Sequence, residues 1–208
     1  MKHVITTAAA TLTLTSHAAA AVIYSNDFES TTVGSEWDQS SLYTHAIEGQ
    51  LLGKFGDETA NLTLDTIGGQ QYTVTFDLFV HGQWEGLGES NQDHFQVFAD
   101  STELLTAYID YDYEGSTHTF IAPSVVYNEN QGINQQYFFK DVTLDFTADD
   151  ATTVLSFIGY VTKDTTEYWG LDNVRVTSFT PSDPIPSPGP IALLAVGCAA
   201  VLRRKARC

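Results

Sequence analysis

The chain has 208 residues, with 26 acidic and nine basic side chains and a formal net charge of −17. A surface of that sign repels nucleic acid and anionic membranes, which excludes both as partners for the bulk of the molecule. The two cysteines, Cys198 and Cys208, fall in the last stretch, so the rest has neither a disulfide framework nor a thiolate metal site.

Taken in order, the chain opens on Met1-Lys2-His3, a modestly apolar stretch from Val4 to Thr15, and the small residues Ala18-Ala19-Ala20. This reads as an export signal, residues 1–20, cleaved after Ala20. From Ala21 to Asp183 there are four basic residues, Lys54, Lys140, Lys163 and Arg175, against all 26 acidic ones, a formal charge of −22. Such a body is very soluble and can collect divalent cations.

The body, residues 21–180, reads as strands almost throughout. Tyr72, Val74, Phe76, Leu78 and Val80 alternate with mostly Thr and Asp, the period of a half-buried strand. Val142, Leu144 and Phe146 repeat the pattern, while Val154 to Val161 is apolar on both faces, as in a central strand. Shorter candidates are Val22–Phe28, Gln50–Phe55, Asn61–Thr66, His94–Ala99, Leu104–Asp110, Thr117–Ala122 and Leu171–Phe179. Gly82 to Gln92, with Trp84, three glycines and two glutamates, reads as an exposed loop, and so does the Asn- and Gln-rich Ser124 to Gln136. Roughly ten strands without an amphipathic helix predict an all-β domain, a β-sandwich or jelly roll.

Residues 181–208 close the chain with Pro184-Ile-Pro-Ser-Pro-Gly-Pro190, the uncharged Ile191 to Leu202, and the cations Arg203, Arg204, Lys205 and Arg207. The prolines end the folded body. The apolar run predicts a short transmembrane helix, briefer than the roughly 20 residues of a full span, with its basic end cytoplasmic. Proline motif, apolar helix and terminal arginines together resemble the PEP-CTERM sorting tail of bacterial exported proteins. Pro186, Ser187, Pro188 and Gly189 form the motif, with Ser187 where the family usually has glutamate, and Arg203 and Arg204 stand in the basic cluster. The resemblance implies recognition by the export machinery and an exosortase, a transient inner-membrane anchor, and delivery to the cell surface or extracellular matrix.

A second resemblance lies at the ends of the body. Asn26-Asp-Phe-Glu-Ser30 and Trp169-Gly-Leu-Asp-Asn-Val-Arg-Val176 are similar to the first and last strands of secreted jelly rolls, among them carbohydrate-binding modules. In such domains the terminal strands lie side by side and acidic residues there hold a structural calcium. The resemblance thereby implies Asp27, Glu29 and Asp172 as ligands.

The residues themselves offer another calcium cluster, Asp110, Asp112 and Glu114, followed by Gly115, with the spacing that opens an EF-hand loop. Ile121 stands where the bidentate glutamate belongs, so a complete EF-hand is excluded. Sugar binding needs exposed aromatic faces beside planar polar groups, and Trp84 with Glu85 and Tyr127 with Asn128 are the candidates. Trp37, Trp169, Tyr111 and Tyr113 read as structural. No Gly-x-Ser-x-Gly elbow or His-Glu-x-x-His pair occurs, and His45, His81, His94 and His118 are scattered. The expectation is a non-catalytic exported domain that binds polysaccharide, with a carbohydrate-active enzyme or a purely structural matrix component as the alternatives.

Overall fold

The structure, a computed structural model, describes residues 19–110, 117–128, 135–162 and 166–180. The export signal up to residue 18, the sorting tail from residue 181, Asp112, Glu114, Tyr111, Tyr113 and Lys163 lie outside the described residues. Ala20–Phe179 is one compact unit.

Eleven strands and no helix occur among the described residues: β1 Ala19–Asn26, β2 Leu42–His45, β3 Gly49–Phe55, β4 Thr59–Asp65, β5 Gln71–His81, β6 His94–Ala99, β7 Thr102–Tyr108, β8 Val125–Asn128, β9 Gln135–Thr147, β10 Thr152–Tyr160 and β11 Tyr168–Thr180. The strands β3–β11, β4–β10, β5–β9 and β6–β7 are antiparallel pairs, the four rungs of one long ribbon. Folding that ribbon over puts β11 beside β5 and β10 beside β6. Two sheets result, one in the order β2-β3-β11-β5-β9-β8 with β1 paired to β11, the other in the order β4-β10-β6-β7. This strand order is that of a jelly roll, so the expected all-β sandwich is the observed fold.

The period-two pattern seen in the sequence is what fills the space between the sheets. On β5, Tyr72, Val74, Phe76, Leu78 and Val80 are all buried, and Phe76 meets Phe157 of β10 and Phe95 of β6 at ring-centroid distances of 5.2 and 6.3 Å. Phe28, with φ of 52°, ends the first strand region and turns its ring onto Trp37, 5.9 Å away. β10 is central to its sheet, flanked by β4 and β6.

Three strand assignments change. Residues 117–122 form no strand, although Thr117–Ala122 alternates in the sequence; the segment is held by His118, whose Nδ1 accepts from Asp110 N at 3.2 Å. The stretch from Ser124 to Gln136, read as loop, instead contains β8 and the start of β9, and β2 was not anticipated. β2 and β8 are short edge strands of four residues, and so short a segment shows no clear period.

Candidate functional site

One face of the seven-stranded sheet packs on the core, and the other would ordinarily be polar. Here the outer face carries a second apolar cluster, Leu51, Phe79, Phe138 and Tyr168, with Tyr43, Val125 and Tyr127 packed against it. Phe79 of β5 and Phe138 of β9 lie 4.7 Å apart. Tyr43 of β2 stacks on Phe79 at 6.0 Å and 17°, and meets Tyr168 edge-on at 5.9 Å. Tyr168 in turn stacks on His81 at 4.1 Å. Lys54, exposed on β3, holds its ammonium 4.6 Å from the Tyr168 ring centre and 6.0 Å from that of Tyr43, a cation–π arrangement.

The two edges of this sheet meet over the cluster. His45 of β2 lies between Phe138 (5.2 Å) and Tyr127 (5.4 Å). Its Nδ1 accepts from the backbone of Glu48 and Ile47, so the proton sits on Nε2, which donates to Gln136 Oε1 at 2.7 Å. Tyr127 donates to Glu48 at 2.6 Å, and Lys140 pairs with the other Glu48 oxygen at 2.8 Å. Burial works to raise the Glu48 carboxyl, but the hydrogen bonds from Lys140 and Tyr127 and the Lys140 charge outweigh it and hold the group below its ordinary value. These bonds tie β2 and the β2–β3 turn to β8 and β9 across the outer face. Tyr43 and Tyr127 keep part of their rings in solvent, with amide, imidazole, ammonium and carboxylate groups at the rim. The three described basic residues of the body, Lys54, Lys140 and Arg175, all belong to this sheet, with Arg175 opposite the outward Thr75.

Beside that cluster the terminal strands gather carboxylates. Asp77 of β5 and Asp172 of β11 are direct cross-strand partners on the outer face and are both buried. The ladder is bulged on either side of Asp77, at Asn173–Val174 of β11 and Lys140–Asp141 of β9, and Asn173 and Asp141 take left-handed φ angles of 50° and 58°. Those bulges aim donors at Asp77: the Asp141 backbone N–H at 2.8 Å and the Asn173 amide at 3.0 Å. Burial, and then the charges of Asp77, Glu29 and Asp27, push the Asp172 carboxyl up to about 7 against the pull of its hydrogen bond from Asn173 N. Glu29 reaches this region by lying on Gly49, where an added Cβ would come within 2.0 Å of its Oε1, and it accepts from Gln50 N at 3.0 Å. Asp77, Glu29 and Asp27 thus act on Asp172 through charge, but no three of these four bring ligand atoms within 4.8 Å of one another as Glu85, Asp93 and Glu167 do. The sequence signal for Asp77 was only one acidic residue in a Thr-rich outward face.

Trp84 corrects an expectation. It is fully buried rather than exposed, because the Gly82–Gln92 segment turns its indole into the core and lets Nε1 donate to His81 O at 3.2 Å. Only its tip, from Leu87 to Gln92, faces solvent. Trp84 offers no sugar-binding face. Glu85 is half-buried and joins Asp93 and Glu167 in a set whose ligand atoms lie within 4.8 Å of one another, the closest oxygen cluster among the described residues and one the sequence spacing did not reveal. Asp93 accepts from the backbone of Glu85 and Thr162, each at 2.8 Å, which clamps the loop to the end of β10. Burial pushes the Asp93 carboxyl up to about 7, with Glu85 and Glu167 adding to the rise. Asp110 is buried at the end of β7; Asn128 lies on β8 next to Tyr127.

Neither a family model nor a curated protein matches the chain. Among solved structures it is similar to the mosquito-larvicidal Cry4Aa toxin of Bacillus thuringiensis, at 11% identity and a TM-score of 0.34, over 72% of this chain and 22% of that one. It is also similar to a family 35 carbohydrate-binding module from an environmental isolate, at 14% identity and a TM-score of 0.32, covering 82% and 95%. A third neighbour, the module TmCBM27 studied for specific mannan recognition, shows 11% identity and a TM-score of 0.39 over 78% and 100%. The TM-scores lie below 0.5, and the fold assignment rests on the strand order itself.

Proposed function

We propose that this chain is an exported, non-catalytic protein of the cell surface or extracellular matrix that binds polysaccharide on the outer face of its seven-stranded sheet. The observation that carries the reading is the aromatic cluster around Phe79 and Phe138, with Tyr43 and Tyr127 part-exposed over it and polar groups fixed at the rim. A pyranose presents a C–H face that packs on such rings and hydroxyl edges that bond to Lys, Glu and amide groups. Export, anchoring by residues 181–208 and exosortase processing belong to the same proposal and are supported by the composition of the two ends.

Structural calcium is part of it. Asp77 and Asp172 supply hard carboxylate oxygens, and the exposed side chains of Asp27 and Glu29 would turn in to complete the set; two buried like charges opposite each other on neighbouring strands are costly unless a cation or a proton intervenes. Bound there, calcium would fix the first strand against the last.

The test is a glycan array probed with the purified protein. Saturable binding to one polysaccharide class, weakened at least about tenfold by Tyr43→Ala or Tyr127→Ala with the melting temperature little changed, supports the reading. A silent array would favour a structural matrix component, and release of sugar products would favour the enzyme. Mass spectrometry of the native protein tests the processing: ends near Ala21 and Pro186 are expected, and an intact chain contradicts it.

A further inference from the structure

The four-stranded sheet also has an outer face, and its chemistry differs from that of the body as a whole. Alternation along β10 buries Leu155 and Phe157 and turns Val154, Ser156, Ile158 and Tyr160 outward. The registers bring the outward residues of the four strands into rows. Tyr160, His94 and Tyr108 form the first row, with the His94 ring 4.3 Å from that of Tyr160 and 5.2 Å from that of Tyr108. Thr59, Ile158, Gln96 and Thr106 form the second. In the third, Asn61, Ser156 and Phe98 lie side by side, and Thr63 then faces Val154. None of these side chains is an acid, a lysine or an arginine, in a body whose formal charge is −22. Burial, against the charge of Asp57, holds the His94 imidazole below its ordinary value, so the first row is neutral as well. The carboxylates stand at the margins: Asp65 ends β4, Glu103 lies on the edge strand β7, and Asp38 flanks β4 beside Asn61.

The hydrogen bonds on this face decide what kind of partner suits it. Ser156 donates to Asn61 Oδ1 at 2.7 Å, and the Asn61 amide donates to Asp38 at 2.7 Å. Gln96 donates to Thr106 Oγ1 at 2.9 Å, and Thr106 passes its own proton to Glu103 at 2.9 Å. Groups already bonded to one another lose little on leaving water and offer little to the hydroxyls of a sugar. The stacked rings of the first row cover each other's faces, which leaves edges rather than a platform. Phe98, Val154 and Ile158 are half-buried and apolar. The surface is therefore suited to burial against protein. A basic partner would gain from carboxylates in the centre of the face, whereas an acidic partner needs them absent, and the chain itself is such an acidic surface.

We infer that two copies of this chain associate through the outer faces of their four-stranded sheets, packed sheet against sheet about a two-fold axis. Such an axis sets a surface against its own copy, so a carboxylate near it would meet a like charge, and the neutral centre avoids this. The face measures about 19 Å across its four strands and about 20 Å along them. That is the scale of a weak, reversible interface rather than an obligate one. In the pair the two seven-stranded sheets lie outermost, with their own outer faces turned to opposite sides. On the polysaccharide reading above, one pair would bridge two glycan chains.

Sedimentation velocity of the purified protein over a concentration series, at about 0.02 M and about 0.5 M salt, tests this. A monomer–dimer equilibrium is expected, with a dissociation constant of about 10–100 µM at the higher salt. At the lower salt it should be at least about tenfold weaker, because the repulsion between two anionic bodies is then unscreened. Gln96→Glu and Ile158→Glu each place a carboxylate in the centre of the face and should weaken the pair about tenfold or more. Gln96→Glu keeps the shape of the side chain and should leave the melting temperature little changed, so it decides the matter even where Ile158→Glu fails to fold. Thr143→Glu adds the same charge on the outer face of the other sheet and should change nothing. A monomer at every concentration and salt, a pair that tightens as salt is removed, a pair indifferent to Gln96→Glu, or an equal loss in Thr143→Glu overturns the proposal. No glycan enters this measurement, so a monomer here and a silent glycan array are separate failures.

Discussion

The Tyr127 hydroxyl on β8 donates at 2.6 Å to Glu48 in the turn that follows β2, although β2 and β8 are opposite edges of the same sheet. A sheet whose edges touch is strongly curled, and Lys140 completes the link by pairing with Glu48 at 2.8 Å. Lys140→Met should cost about 0.5 kcal/mol, in the range of half-exposed ion pairs. Because the folded-state value of Glu48 is depressed, its contribution is present above the ordinary carboxylate range and disappears as pH falls through the lowered value. Urea titrations of the wild type and Lys140→Met should converge in acid, and a constant gap down to the lowest pH would contradict the link.

Asp93 and Asp172 have the opposite sign. Each is pushed from an ordinary 3.8 to about 7, chiefly by burial, so the folded chain keeps protons that the unfolded chain has released. Their contribution is fully present below ~4 and is lost as pH rises through about 7. With a chelator present, the melting temperature should peak in the mildly acidic range and decline towards pH ~8. Asp172→Asn and Asp93→Asn should each flatten that decline, whereas an unchanged slope in both would refute the assignment.

Calcium should reverse the Asp172 effect, since a cation favours the ionised carboxylates of Asp27, Glu29, Asp77 and Asp172. Added calcium is expected to raise the melting temperature at neutral pH and chelator to lower it, with a smaller response in Asp77→Asn. If the wild type shows no calcium shift, these residues do not form a calcium site.

Trp84→Ala should destabilise the protein by about 3–5 kcal/mol, as for large aromatic side chains removed from a core, while leaving no direct gap in the proposed sugar surface. Denaturant unfolding measures it, and a loss below ~1 kcal/mol would mean the indole is not packed as described.

Gly159 lies under the indole of Trp169: an added Cβ would come 2.1 Å from its Nε1, which donates to Gly56 O at 2.9 Å. Gly159→Ala should cost about 1–3 kcal/mol by overpacking and shift Trp169 fluorescence. A wild-type melting temperature with an unchanged spectrum would contradict the contact.

Much of the jelly roll was legible because period two is local. Tyr72 to Val80 announces its buried face residue by residue, and His94–Ala99 appears with the same bounds in sequence and structure. The short edges β2 and β8 were not legible, because four residues carry too little period. Trp84 was misread for a related reason: glycines beside a tryptophan permit an exposed tip and an inward tuck equally. The outer cluster did leave a mark, the unbroken run Tyr137-Phe138-Phe139, which must bury rings on both faces of β9.

By itself the sequence determined the all-β class, the acidic cysteine-free body, the composition of the two ends and the candidacy of Asp27, Glu29 and Asp172. Only the tertiary structure decided which carboxylates become neighbours, as Asp77 does opposite Asp172, and which aromatic residues keep a free face. Alternation along a strand is written in adjacent residues, whereas the pairing of β5 with β11 and the meeting of β2 with β8 depend on how the ribbon folds over and curls. Charge repulsion and ring exposure exist only once those distant segments are brought together.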